Sequence, residues 1–167
     1  MLKRLARLRV PLGFLCAVAA FVLARPTWSS WSLGLAIAIL GEGVRIWAAG
    51  HIEKGREITN SGPYRFVRHP LYLGSALLGV GFITAAMSVP VALVVVLYFG
   101  TTIFAAIRTE EATLDARFDG AYTNYRHGTA TPVARPFSLE RAIRNREHRA
   151  VMGLVAGFAF LVWRIGG

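Results

Sequence analysis

The chain is poor in cysteine, in acid and in charge, and each shortage removes a class of protein. Its single cysteine, Cys16, has no partner within the chain, so a disulfide-stapled scaffold is excluded. Charged residues make up 17% of the 167 positions, against roughly a quarter in an ordinary soluble domain. Only 9 of them are Asp or Glu, against 19 Lys and Arg, which leaves a net charge of +10. The histidines, His51, His69, His127 and His148, are scattered without ligand spacing, and with one cysteine they give no metal site. GxSxG, P-loop and GxGxxG patterns are missing, so no covalent nucleophile or phosphate-cradling loop stands out. No zinc-finger, RNP or helix-turn-helix pattern accompanies the basic charge, so nucleic acid is not expected as a partner. Internal repeats are absent.

What the chain has is apolar length: 54% of its residues are hydrophobic and its mean hydropathy is +0.48. A bilayer core takes roughly 20 apolar helical residues. Residues 31–49, 71–87 and 89–107 approach that length, and residues 10–24 and 151–163 reach it if their flanks snorkel or the bilayer thins. Lys3, Arg4, Arg7 and Arg9 precede the first run, and Lys54, Arg56, Arg65 and Arg68 separate the second from the third. Eight arginines, from Arg108 to Arg149, separate the fourth from the fifth. The opposite side holds only Arg25 and Arg164. By the positive-inside rule this alternation predicts five spans with a cytoplasmic N-terminus. The fold class is then all-α, a polytopic membrane helix bundle forming one domain over residues 1–167. Its cytosolic loops are 50–70 and 108–150, and the implied location is a bacterial or archaeal cell membrane. The alternative for the first run is a secretory signal peptide ending at Val22-Leu23-Ala24.

The two long cytosolic connections carry the polar chemistry. Gly62-Pro63 signals a turn, and Pro70 suits the first position of the third span, with His69 as its cap. Such a helix start offers an anion site, while Arg68, Tyr64 and Tyr72 suit either that site or interfacial anchoring. Residues 111, 114, 118, 122 and 125 have helical spacing, which predicts that the fourth span continues beyond the membrane. The adjacent acids Glu110 and Glu111 are either a solvated stretch of that helix or part of a site. Glu42 and Arg45 lie three apart inside the second span, where charge is costly. They form either a structural ion pair or a functional one. Counted from Trp31 at 1.5 Å per residue, Arg45 lies about 21 Å deeper, near the level of His69. His51 reads as an interfacial histidine rather than a base. A helix is expected from Ser138 to Ala150, with Arg141, Arg144, Arg146 and Arg149 against the inner leaflet.

The run Gly62-Pro63-Tyr64-Arg65-Phe66-Val67-Arg68-His69-Pro70-Leu71-Tyr72-Leu73-Gly74, followed by an apolar span and then Arg108-Thr109-Glu110-Glu111, resembles the integral-membrane methyltransferases. That group includes the isoprenylcysteine carboxyl methyltransferases and the phospholipid N-methyltransferases. The resemblance covers residues 40–136, and Arg45 stands where such proteins tend to carry an arginine. Asp119 departs from the pattern, since a glycine commonly follows the Phe. The resemblance implies S-adenosylmethionine as cofactor, with contacts from His69 and Tyr72 and from backbone at Tyr64 and Leu73. It also implies that Glu110 and Glu111 bind the cofactor's polar groups. Direct in-line methyl transfer to a lipophilic or lipid acceptor would follow, the acceptor being a carboxylate such as an isoprenylcysteine-like one, or an amine. Arg45, with Glu42, would orient an anionic acceptor; an amine would need a base, for which Glu110, Glu111 and His51 are candidates. The competing readings are an NADPH-dependent membrane reductase and a non-enzymatic membrane interaction or transport protein.

Overall fold

A computed structural model describes residues 16–54, 56–118, 121–129 and 135–166. They are helical, with no strand among the described residues. We label the helix over 16–23 α1, followed by α2 (Trp28–Ala49), α3 (Pro70–Ala86), α4 (Val89–Arg117), α5 (Ala121–Arg126), α6 (Leu139–Arg144) and α7 (His148–Gly166). A 3-10 turn, Gly62–Arg65, precedes α3. The expected first span lies partly outside the described residues, as does Asp119. Three helices, α2, α4 and α7, are long and apolar enough to cross a membrane, and α3 is a shorter apolar helix of 17 residues.

The helix boundaries follow local chemistry. Thr27 caps α2 by accepting from Ser30 N at 3.2 Å while its own N–H donates to Ser30 Oγ at 3.0 Å, a reciprocal box. Ser30 Oγ also donates to Ala85 O at 3.1 Å and ties the start of α2 to the end of α3. Pro70 opens α3 with His69 at the cap position, as the sequence predicts, although the His69 side chain makes no capping bond. Met87 closes α3 in the left-handed region, at φ 48°, and Ser88 starts α4.

The antiparallel pair α2–α3 is the closest contact in the bundle. Gly34 and Gly41 face Gly81 and Gly74, and a Cβ added at Gly41 would fall 2.8 Å from Gly74 O. Small residues are what allow two helices in lipid to approach until dispersion contacts hold them. Around this seam Ala38, Ala85, Val91, Val95, Phe158 and Leu161 form the core. Trp31 Nε1 donates to Phe158 O at 3.0 Å and joins α2 to α7. The outside is apolar as well: on α4, Leu97 is 66% and Phe104 63% exposed, which is the inside-out surface a lipid solvent permits.

Two expectations need correction. The continuous helix read through residue 125 stops at Arg117, and the chain resumes as α5. The helix expected over Ser138 to Ala150 is also broken, into α6 and α7, by a turn at 145–147 with Arg146 at φ 66°. There Asn145 Nδ2 donates to Ala49 O at 2.9 Å and Ile52 O at 3.1 Å, so it caps the end of α2 instead of continuing its own helix. The same turn directs Glu147 inward, where it is 6% exposed.

Candidate active site

Where α3 begins and α4 leaves its apolar stretch, a cavity of about 620 Å³ opens between the 3-10 turn, α3, α4, α5 and the loop 52–59. Its wall on α4 is one helical stripe, running from Tyr98 through Thr102, Ala105 and Thr109 to Thr113. Tyr64, His69, Tyr72 and Glu110 line it, together with Tyr122 and Tyr125 from α5. A second, apolar groove of about 560 Å³ lies between α1, α3, α4 and α7, and Tyr98 borders both spaces.

A set of side-chain bonds closes the polar end. Tyr72 Oη donates to Glu110 Oε2 at 2.9 Å. His69 Nε2 lies 3.3 Å from Glu111 Oε1, which also accepts from Tyr122 Oη at 3.0 Å. Tyr125 Oη donates to Tyr64 O at 2.7 Å, so α5 is fastened to the 3-10 turn. Burial raises the pKa of Tyr64, and the negative charges of Glu110 and Glu147 raise it further. Burial and the bond to Glu111 raise that of Tyr122. Both phenols are therefore neutral donors at physiological pH.

The structure thus brings His69, Tyr72, Glu110, Glu111 and Tyr64 together. Leu73 does not line the cavity; its N–H donates to His69 O at 3.1 Å, as does that of Tyr72, so these helix-start groups already have a partner. Arg45 and Glu42 lie behind the α3 wall and do not line the cavity either. Arg45 Nε is 2.6 Å from Glu147 Oε1 and 3.8 Å from Glu42 Oε2, while its Nη1 bonds Ser75 Oγ. The absence of a side chain at Gly74 makes room for this arginine: a Cβ there would meet Arg45 Cγ at 2.5 Å. His51 is buried away from the cavity, with Nδ1 2.9 Å from Trp47 O and its ring against Gly62.

Sequence reasoning missed Glu147, which sits in an arginine-rich stretch read as an inner-leaflet contact. It also misplaced Arg141, which was expected at a lipid surface. Arg141 instead donates to Glu53 Oε1 at 2.8 Å and to Gly50 O at 2.6 Å. With Arg135 on Glu57 at 2.6 Å, it holds the loop that floors the cavity. Among the described residues no group of three or more His, Cys, Asp or Glu is placed to hold a metal ion.

A phospholipid methyltransferase family model matches residues 8–120. The chain is 38% identical over 90 residues to the cobalt-zinc-cadmium resistance protein CzcN of Cupriavidus metallidurans, covering 52% of this chain and 39% of the relative. It is 34% identical over 88 residues to the nickel-cobalt-cadmium resistance protein NccN of Alcaligenes xylosoxydans xylosoxydans, covering 52% and 40%. The matches thus span about two fifths of the length of these curated relatives. No solved structure matches the chain.

Proposed function

The chain belongs to the phospholipid methyltransferase family, and from that premise we propose that it transfers a methyl group from S-adenosylmethionine to a lipophilic or lipid acceptor at the cytosolic face of a cell membrane. The observation that carries this reading is the cavity end where Tyr72–Glu110 and His69–Glu111–Tyr122 converge beneath Tyr64. The donor set fits the cofactor. Glu110 presents a carboxylate to ribose hydroxyls or an ammonium, the tyrosine rings offer faces for a base, and Arg68 and Lys54 at the cavity wall offer charge for a carboxylate.

When bound, S-adenosylmethionine supplies an electrophilic methyl group on a sulfonium. The chain's own residues position and shield. His69 and Tyr122 fix the Glu111 carboxylate, Tyr72 fixes that of Glu110, and α5 covers the 3-10 turn through Tyr125. Acceleration then comes from holding donor and acceptor in line and excluding water. The acceptor's apolar portion would occupy the groove that meets the cavity at Tyr98. Arg45 and Glu42, expected to orient an anionic acceptor, lie behind α3 with Glu147 on the guanidinium at 2.6 Å, so the acceptor's polar group would be set by the residues that line the cavity. In this reading residues 1–167 form one five-span domain with a cytoplasmic N-terminus.

Incubating the purified chain with methyl-labelled S-adenosylmethionine and a membrane lipid extract, followed by mass spectrometry, tests the activity. A lipid gaining one labelled methyl group supports it. An unlabelled extract, beside label transferred to no other lipophile, counts against it. NADPH, titrated under the same conditions, addresses the reductase alternative.

A further inference from the structure

Residues 135–147 cross the end of α2 as a strap whose inner side is engaged along its length. Arg135 Nη1 meets Glu57 Oε1 at 2.6 Å, and Phe137 packs on Gly50, where an added Cβ would have no room. Ser138 N donates to Gly50 O at 3.1 Å, Arg141 Nε to Glu53 Oε1 at 2.8 Å and Asn145 Nδ2 to Ala49 O at 2.9 Å. Glu53 and Glu57 belong to the loop that floors the cavity, so the strap holds that floor at two points. Arg141, Ala142 and Asn145 thus take the inner side of α6, and helical spacing puts Leu139 and Ile143 on the other.

The outer side of α6 is apolar at its centre and basic at its edge. Leu139 is 61% and Ile143 54% exposed, one helical turn apart, and the side chain of Arg144 beside Ile143 is 56% exposed. Glu140 is the one acid on this side, and Arg146 and Arg149 follow as exposed cations. Exposed aliphatic side chains edged by cations suit the boundary between lipid headgroups and acyl chains. The flanking helices place α6 at that boundary. α2, long and apolar enough to cross a membrane, ends at Ala49 with Trp47 43% exposed, and the strap bonds to its last carbonyls. α7, of the same kind, begins at His148 and leaves Met152 67% exposed. The apolar surface of the two spanning helices therefore continues onto α6, and the cations there favour an anionic leaflet over a neutral one.

We propose that the outer side of α6 docks on anionic phospholipid headgroups of the leaflet at this end of the bundle, and that docking holds the cavity floor closed. Leu139 and Ile143 enter the boundary, and Arg144 and Arg146 lie among the headgroups. Only the helical strap presents Leu139 and Ile143 on one side, so the leaflet binds that form and stabilises it by mass action. The bonds from Arg141 to Glu53 and from Asn145 to Ile52 O carry the effect to the floor. On a neutral leaflet, or in high salt, the strap detaches more often and the cavity exchanges its contents. The inference goes beyond the methyltransferase reading, because it concerns the closing of the floor whatever the cavity holds.

The experiment reconstitutes the full chain, Ile143→Ser and Arg146→Gln in phosphatidylcholine vesicles with and without phosphatidylglycerol, and reads amide exchange protection at 139–144 and 52–59. An arginine near an anionic surface is worth about fivefold. Protection of both segments in the parent should therefore rise about fivefold or more with phosphatidylglycerol. It should fall back at about 1 M salt, where screening acts within about 3 Å. Arg146→Gln should lose much of the rise, and Ile143→Ser should lower protection in both kinds of vesicle. Both side chains are exposed, so thermal unfolding in neutral detergent should match the parent and separate lost docking from misfolding. Protection that is the same with and without phosphatidylglycerol would overturn the proposal. A rise confined to 139–144 would overturn it too, by uncoupling α6 from the floor. A dimer in neutral detergent that Ile143→Ser dissociates would assign this face to a second copy of the chain and likewise overturn it. S-adenosylmethionine is left out throughout, so failure here leaves the methyltransferase reading standing, and failure of that reading leaves this result standing.

Discussion

The Tyr72 hydroxyl donates to Glu110 Oε2 at 2.9 Å across the gap between α3 and α4. This bond ties the first turn of α3 to α4 at the polar end of the cavity, beside the contact of His69 with Glu111. Removing it by Tyr72→Phe should leave the Glu110 carboxylate unanchored. The account predicts a loss of S-adenosylmethionine affinity of about tenfold, equivalent to one hydrogen bond to a charged group. Equilibrium binding checks it, and the fold should survive because the ring still packs against His69 at 5.8 Å.

The seam between α2 and α3 tolerates no added methyl at Gly41 or Gly74. Gly74→Ala would bring its Cβ to 2.7 Å from Gly41 O and against the stem of Arg45. Overpacking of this kind costs about 1–3 kcal/mol, and thermal unfolding in detergent should show the loss. Gly43→Ala is the control, since nothing lies within 4 Å of the added carbon and a helical alanine is favoured over glycine.

The attachment of α6 to the cavity floor should depend on pH. The hydrogen bond from Arg141 lowers the pKa of Glu53, against a smaller opposing effect of desolvation. A carboxylate whose pKa is lower in the folded protein contributes stability that is complete above its unfolded value of 4.5. That contribution disappears as pH falls through the folded value. Exchange protection factors of residues 139–144, taken relative to the intrinsic rate at each pH, should therefore fall under acid in the parent chain, and Glu53→Gln should remove that fall.

Arg141 and Arg149 should behave differently although both occupy the same basic stretch. Arg141 bonds Glu53 and Gly50 O, so Arg141→Ala should loosen the loop that floors the cavity and weaken cofactor binding severalfold. Arg149 is exposed, and Arg149→Ala should leave cofactor affinity unchanged. Equal effects from the two would contradict the placement of α6.

The helices were legible because apolar length and alternating basic loops are strong signals in a membrane protein. Pro70 and the long α4 followed from the same patterns. The gathering of His69, Tyr72, Glu110 and Glu111 was legible only through the motif that carries them. What stayed hidden depends on tertiary contacts. The turn at 145–147 contains neither glycine nor proline, and it exists because Asn145 finds the carbonyls at the end of α2. Nothing in the sequence singles out Glu147 among the arginines around it; the turn is what places it on Arg45. The inward pointing of Arg141 could not be told from its neighbours, because spacing gives a helix face but not the partner that a face will meet.

The central claim is that the cavity holds S-adenosylmethionine through the His69–Glu111 pair. Calorimetric titration of the cofactor into the purified full chain, beside His69→Ala and Glu111→Ala, tests it most directly. The account predicts saturable binding at one site in the parent, weakened about 10- to 100-fold in Glu111→Ala, on the scale of hydrogen bonds to a charged group. Heats from the parent chain that match injection into buffer, or variants that bind as tightly as the parent, would contradict it.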